Sequence, residues 1–312
     1  MDTSPDGGAA TALDAPRPKS WAFEAGAEIT PGTSAIALLG DGNRTETWLA
    51  WDTRRWAPVT VKICRPDHLR SERAIAGLRR EADAHRTLRH PSIRELLDDG
   101  VDTPHPHLVM EYVQGPALAD CLEDGPFHPV DVIRIGLQLG SVLHYLHRRG
   151  WLYLDLKPHN VILYAGQAVL IDLGFVRPTG WYSDDGVPRG SRAYMAPEQC
   201  RCEPLTEATD LFGLGTVLYE IATTTPPFES DEACFEQLAR HAAPVGTGAP
   251  KLPAAVAEVI DALLEPDAAR RPTAAADVLE ALNGALPDDQ APMWPPFVTP
   301  LLRCPPRPVT RP

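Results

Sequence analysis

Tyr153-Leu154-Asp155-Leu156-Lys157-Pro158-His159-Asn160, followed by Leu170-Ile171-Asp172-Leu173-Gly174, is the part of this chain from which its fold can be read. It holds two carboxylates, an amide and an ammonium, spaced Asp-x-Lys-Pro-x-Asn and then Ile-Asp-x-Gly. The apolar residues around them predict two short strand pairs, with the polar groups where the pairs meet. Such a set suits phosphoryl transfer, in which catalysis is mostly positioning and charge neutralisation. One Asp orients a hydroxyl, an Asp and an Asn hold Mg²⁺ through hard oxygens, and a Lys neutralises phosphate charge.

Working outward, Gly40-Asp41-Gly42-Asn43-Arg44-Thr45-Glu46-Thr47 lies between β-prone runs, the first expected at 36–39. Its glycines predict a tight hairpin whose backbone N–H groups can approach phosphates. Strand 57–63 is apolar but carries Lys62, and a half-buried ammonium calls for an anion. Across 72–89, Ala74, Ile75, Leu78, Ala82, His85 and Leu88 recur at helical spacing, and His90-Pro91 ends the run. Two strands are expected near 94–101 and 106–113. Helix 129–149 has Val132, Ile135, Leu139, Val142, Leu143 and Leu146 on one face and stops at Gly150. Residues 175–195 read as a long polar loop, a length that usually signals function or disorder. An apolar helix then begins at Thr209-Asp210 and runs to about Ala222.

Seven motifs in this order, over about residues 30–285, resemble those of eukaryotic-type (Hanks-type) bacterial serine/threonine protein kinases. The resemblance implies a bilobal α+β fold. Its small lobe, about 29–113, would hold a five-stranded antiparallel sheet and one helix; its larger lobe, about 114–285, would be mostly helical, with nucleotide in the cleft between them. It implies ATP and Mg²⁺, with Mn²⁺ as a substitute, and protein acceptors with Ser or Thr. Asp155 and Lys157 would be catalytic, and Asn160 and Asp172 would bind the metal. Gly40, Gly42, Thr47, Thr60, Lys62, Glu81, Met110, Glu111 and Val113 would surround ATP, with Glu81 paired to Lys62 and Met110 as gatekeeper. Asp210 would anchor the catalytic loop, and Glu198 would pair with Arg271. Lys157 in Asp-Leu-Lys-Pro is the serine/threonine form of the loop. The stretch Gly190-Ser191-Arg192-Ala193-Tyr194-Met195-Ala196-Pro197-Glu198 resembles the end of an activation segment, which points to a protein acceptor rather than a small molecule.

The departures are specific. Thr45 and Thr47 replace a glycine and a valine, Thr60 replaces an alanine, and Tyr153-Leu154 stands where the family has His-Arg. That Arg normally receives an activation-loop phosphate, so activity is expected without one. The same changes motivate the alternative of a pseudokinase acting as a nucleotide-binding or scaffold module.

Composition bounds the rest. The chain has 312 residues, 44% of them hydrophobic, with 42 acidic against 29 basic residues and a formal net charge of −13. An acidic chain has no broad electrostatic attraction to nucleic acid or anionic membrane, and no partner of either kind is expected. Neither a basic, apolar signal segment nor a run near the roughly 18 apolar residues of a membrane helix is present, so a cytoplasmic location is expected. The six cysteines are spread out, and Cys200 and Cys202 have no second pair at zinc-site spacing, so reduced thiols are expected. Residues 1–28 read as a disordered leader from which Trp21 and Phe23 dock on the folded body; 286–312 read as a disordered Pro-rich tail, open to interaction.

Overall fold

The computed structural model describes residues 18–229 and 234–287. Most of the expected leader and nearly all of the Pro-rich tail lie outside the described residues. The chain divides into two compact units. One comprises the chain up to Ala82 with Leu96–Tyr112, and the other Asp83–Glu95 with the chain from Val113 onward.

The first unit contains β1 (Glu28–Thr30), β2 (Thr33–Asp41), β3 (Thr45–Asp52), β4 (Ala57–Cys64), most of α1 (Glu72–Thr87), β5 (Leu96–Asp99) and β6 (His107–Glu111). The strands form one six-stranded sheet in the order β1-β2-β3-β4-β6-β5, and all its pairs are antiparallel. This corrects the expectation of five strands starting at 36. The extra strand pairs with β2, puts Ile29 in the core, and buries Thr30 and Thr33, 5% and 0% exposed, with their hydroxyls 2.7 Å apart across the turn. Hydrophobic alternation carries no signal for such a pair.

Strand alternation sorts this sheet into two faces. Thr47 lies opposite Lys62, and Lys62 opposite Leu108; Leu49 lies opposite Thr60, and Thr60 opposite Met110. On that face Cys64, Leu108 and Met110 pack with Ala74, Leu78 and Ala82 of α1. The other face carries Trp48, Val59, Val61, Ile63 and Val109, and Trp21 and Phe23 pack on it as expected. Their rings stack at 5.5 Å, and the Trp21 indole N–H donates to the Cys64 carbonyl at 2.8 Å.

The second unit is mostly helical. Its elements are α2 (Pro129–His147), β7 (Trp151–Leu152), β8 (Val161–Tyr164), β9 (Gln167–Leu170), β10 (Arg177–Pro178), α3 (Pro197–Cys200), α4 (Glu207–Thr223), α5 (Val245–Gly248), α6 (Ala254–Leu263) and α7 (Ala275–Gly284). α2 starts with Pro129 in its first turn, where a missing N–H costs nothing. From Thr209 to Ala222, α4 is buried on every side, the mark of a helix that forms the centre of a core. Ala84, Leu88 and Ile93 join the same core, which is why residues 83–95 belong to this unit. The two expected short strand pairs are β7 with β10 and β8 with β9.

Candidate active site

Two loops run between the strand pairs, 153–160 from β7 to β8 and 171–176 from β9 to β10. In the β8–β9 hairpin Val161 lies opposite Leu170, so Asn160 and Ile171 leave at the same end. The Ile171 N–H donates to the Asn160 carbonyl at 3.1 Å. Asp210, 2% exposed near the start of α4, holds the first loop. Its Oδ1 accepts from the Leu154 N–H at 2.8 Å; its Oδ2 accepts from the Tyr153 N–H at 2.8 Å and lies 2.9 Å from His147 Nε2. Arg94 holds the second loop: its N–H donates to the Leu170 carbonyl at 3.0 Å and its guanidinium to the Ile171 carbonyl.

Asp155 is 6% exposed. Its Oδ2 accepts from Asn160 Nδ2 at 3.0 Å and lies 3.3 Å from Lys157 Nζ, which donates to Ser191 Oγ at 2.7 Å. Burial pushes the Asp155 carboxyl above the ordinary aspartate range; Lys157 and Ser191 pull against that, and Asp172 adds to it. Among the described residues Asp155 Oδ1 is buried with no hydrogen-bond partner. A desolvated carboxylate oxygen without a donor costs stability, and such oxygens concentrate where a ligand supplies the donor.

Asn160 donates twice to Asp155, at 2.8 Å to the carbonyl and 3.0 Å to the carboxylate. This fixes its amide so that the side-chain oxygen is directed away from Asp155. Asp172 Oδ1 accepts from the Gly174 N–H at 2.7 Å. One carboxylate and one amide oxygen, both hard donors, fit Mg²⁺, which takes few protein ligands and completes its shell with water and phosphate. Among the described residues no group of three or more His, Cys, Asp or Glu could hold a metal, and Cys64, Cys121, Cys200 and Cys202 are free thiols.

In the first unit Lys62 Nζ donates to both oxygens of Glu81 at 2.9 and 2.8 Å. Glu81 is buried and Asp83 exposed, so the helix register that pairs Lys62 with Glu81 is the one expected. Thr60 and Met110 are 1% and 0% exposed, Thr47 sits across from Lys62, Glu111 is exposed and Val113 is buried. The β2–β3 turn closes with the Gly42 N–H on the Thr45 carbonyl at 3.0 Å. A Cβ at Gly42 would fall 2.9 Å from that oxygen, whereas one at Gly40 would meet nothing closer than 3.9 Å. Glycine is therefore required at 42 by the turn itself.

Glu198 and Arg271 form a bidentate pair at 2.8 and 2.9 Å. Thr209 also donates to Glu198, at 2.9 Å. Motif reading missed His147, Arg94 and Gln199. Each serves the loops through a contact far away in sequence, for which no local pattern exists.

The comparisons with known proteins agree with this geometry. Residues 34–282 match the protein kinase domain family. The chain is 34% identical over 268 residues to the serine/threonine-protein kinase PknB of Mycolicibacterium smegmatis, covering 80% of this chain and 43% of that protein. It is 31% identical over 273 residues to the probable serine/threonine-protein kinase PknB of Bifidobacterium longum, covering 80% and 39%. Over 203 residues it is 36% identical to the PknB of Mycobacterium leprae, covering 62% and 33%. It thus spans less than half the length of these relatives. With the matched family, the loop geometry and the paired lysine in agreement, the chain belongs to the protein kinase domain family.

Proposed function

We propose that this chain transfers the γ-phosphoryl group of ATP to Ser or Thr hydroxyls of protein acceptors, and does so without a phosphate on its activation segment. The observation that carries the reading is the buried, donorless Asp155 Oδ1, beside a carboxylate oxygen already engaged by Asn160 and Lys157. An acceptor hydroxyl at that oxygen supplies the missing donor, and Asp155 orients it and takes its proton. Lys157, held by Ser191, neutralises charge on the transferred group. Lys62, aligned by Glu81, contacts the α- and β-phosphates. Gly40, Gly42 and Thr47 cover the phosphates, Thr60 and Met110 line the adenine site, and backbone groups of Glu111 and Val113 bond the base. Asn160 and Asp172 would hold Mg²⁺, which supplies neutralisation of the phosphate oxygens when bound. Asp210, Glu198 and Arg271 act as supports.

Leu154 supports phosphate independence. It is 6% exposed in an apolar cluster with Leu152 and Leu205, against which Phe175 and Trp181 pack. An apolar pocket offers a phosphate no charge partner. The opposing reading, a nucleotide-binding scaffold, draws on Thr45, Thr47 and Thr60. Those changes alter fit around the nucleotide, while every charged group that the chemistry uses is present. No helix among the described residues is long and apolar enough to cross a membrane, in line with an acceptor met in water.

The test is intact-mass analysis of phosphatase-treated protein incubated with Mg-ATP and a basic protein acceptor, beside Asp155→Asn and Lys62→Ala. Phosphoryl gain by wild type alone supports transfer. ATP binding without any transfer, with Mn²⁺ also tried, would leave the scaffold reading in its place.

A further inference from the structure

Position 154 holds a buried apolar leucine, and the described residues tie the activation segment down at several points. β10 pairs with β7, with Arg177 opposite Leu152. The Thr179 N–H donates to the Gly150 carbonyl at 2.9 Å. Then a two-way backbone bridge forms: the Gly180 N–H donates to the Leu205 carbonyl at 2.8 Å, and the Leu205 N–H to the Trp181 carbonyl at 2.9 Å. With Phe175, the Trp181 ring packs against the cluster of Leu152, Leu154 and Leu205, and it carries the Arg177 guanidinium at 5.2 Å from its centroid.

Beyond Trp181 the segment returns to the same leucine. Gln199, 4% exposed, donates to the Leu154 carbonyl at 2.9 Å and to the Arg189 carbonyl. Gly190 makes this approach possible. Its φ is +126°, and a Cβ there would fall 2.6 Å from Gln199 Nε2 and 3.0 Å from the Leu154 carbonyl oxygen. Leu154, itself at φ +67°, is the residue immediately before Asp155. Its side chain, carbonyl and N–H are thus held by the Trp181 cluster, Gln199 and Asp210 respectively.

We infer that Trp181 is a positioning residue for phosphoryl transfer: its indole on the Leu152, Leu154 and Leu205 cluster, with its backbone bridge to Leu205, latches the activation segment to the catalytic loop, in the role that a phosphate on an arginine would otherwise fill. The inference rests on the kinase reading above and supplies its mechanism of regulation. The segment is set by apolar burial, which no kinase or phosphatase can reverse. The latch acts on acceptor geometry at Asp155 and leaves nucleotide binding alone.

The experiment uses the phosphatase-treated full chain, with Trp181→Ala compared with Trp181→Phe. Transfer to a basic protein acceptor is measured at varied Mg-ATP, together with hydrogen exchange of residues 178–191 and of α4. Misplacing a reacting group by about 1 Å costs roughly 10²-fold. Trp181→Ala is expected to lower kcat by about that factor while KM for ATP stays within about twofold, and to lose exchange protection over 178–191 while α4 keeps it. Trp181→Phe, retaining an aromatic ring on Leu154, is expected to recover most of both. A Trp181→Ala protein with wild-type kcat, or with 178–191 still protected, overturns the latch; so does equal weakening of ATP binding. If Trp181→Ala does not fold, Leu205→Ala trims the same cluster from the other side and is judged by the same readouts. Should the wild type transfer to no acceptor, the kinase reading falls by itself, and the exchange comparison still decides whether Trp181 holds the segment.

Discussion

Arg271–Glu198 and Lys62–Glu81 are both cation–carboxylate pairs inside their own units, and they are built differently. The Arg271 side chain is 0% exposed and its partner 10%. A guanidinium has five N–H donors, and Arg271 places them on Glu198 twice and on the carbonyls of Glu265, Ala208 and Pro266. Phe212 packs against the same guanidinium, 4.8 Å from its centroid. Lys62 is a point charge on a flexible stem, 12% exposed, and its ammonium donates to both oxygens of Glu81. A saturated guanidinium cannot change partners without leaving carbonyls bare, so it locks structure. An ammonium on a flexible stem carries no fork geometry to lose, so it can be redirected at lower cost.

The difference can be broken by measurement. Arg271→Ala leaves Glu198 with the Thr209 hydroxyl in place of three side-chain donors and strips the guanidinium from three carbonyls, and breaking a buried pair costs ~3–5 kcal/mol. Equilibrium denaturation should show a loss of that size, with little recovery in Arg271→Lys, because an ammonium cannot reproduce the fork. A cost below about 1 kcal/mol would place Arg271 with ordinary surface pairs. Lys62→Met should do the reverse, lowering transfer by about 10²–10³-fold with a smaller change in unfolding free energy than Arg271→Ala. An equal loss of stability would erase the distinction.

A further sharpening concerns Asp155. Its carboxyl is raised by burial, so the proton leaves at a higher pH than from an ordinary aspartate. The acid limb of kcat/KM should lie above the usual aspartate range, and Lys157→Ala, which removes the group pulling it down, should move the limb further up. The sign for stability follows. A raised acid favours the folded state while protonated and loses that contribution as pH rises through its folded value. Asp155→Asn should therefore melt higher than wild type near pH 7, with the difference shrinking toward the ordinary aspartate value. A limb that moves down in Lys157→Ala contradicts the assignment. The smallest effect is expected for exposed Thr179. Thr179→Ala should change transfer by about twofold or less, the scale of surface substitutions, because the segment is held there by its backbone N–H on the Gly150 carbonyl.

The fold and the polar constellation were legible because phosphoryl transfer demands particular charges at particular spacings. Lys62 stood out as an ammonium in an apolar strand, and the register of α1 selected Glu81 over Asp83. Thr45, which closes the turn begun at Gly42, accepts the Gly42 N–H through its backbone, a role that identity does not reveal. What could not be read depends on chain segments meeting from afar. β1 is three residues long, with Ile29 alone in the apolar core beside a pair of threonine hydroxyls, too short to show an alternating apolar pattern. Gln199 is one polar residue in a four-residue helix, and its importance lies in reaching the Leu154 carbonyl, |i−j| of 45. The loss of an arginine at 154 was visible, but the indole that fills its place was not, because Trp181 reads only as an aromatic residue in a polar loop.

The β8–β9 hairpin gives the interval between Asn160 and Asp172 a meaning of its own. Its turn has Ala165 and Gly166 at φ +49° and +79°, the geometry of a tight two-residue connection. The two chemical residues stand at the open end of a loop of thread whose closed end is elsewhere. Adding one residue to each strand would return both loops to the same place, so the interval is a length of tether and not a chemical distance. What holds it to its present value is Gln138 of α2, which clasps the closed end by donating to the Gly166 carbonyl at 3.0 Å and accepting from the Ala168 N–H. A chain without that clasp could carry the same two residues at a longer interval, and a search by fixed spacing would pass over it.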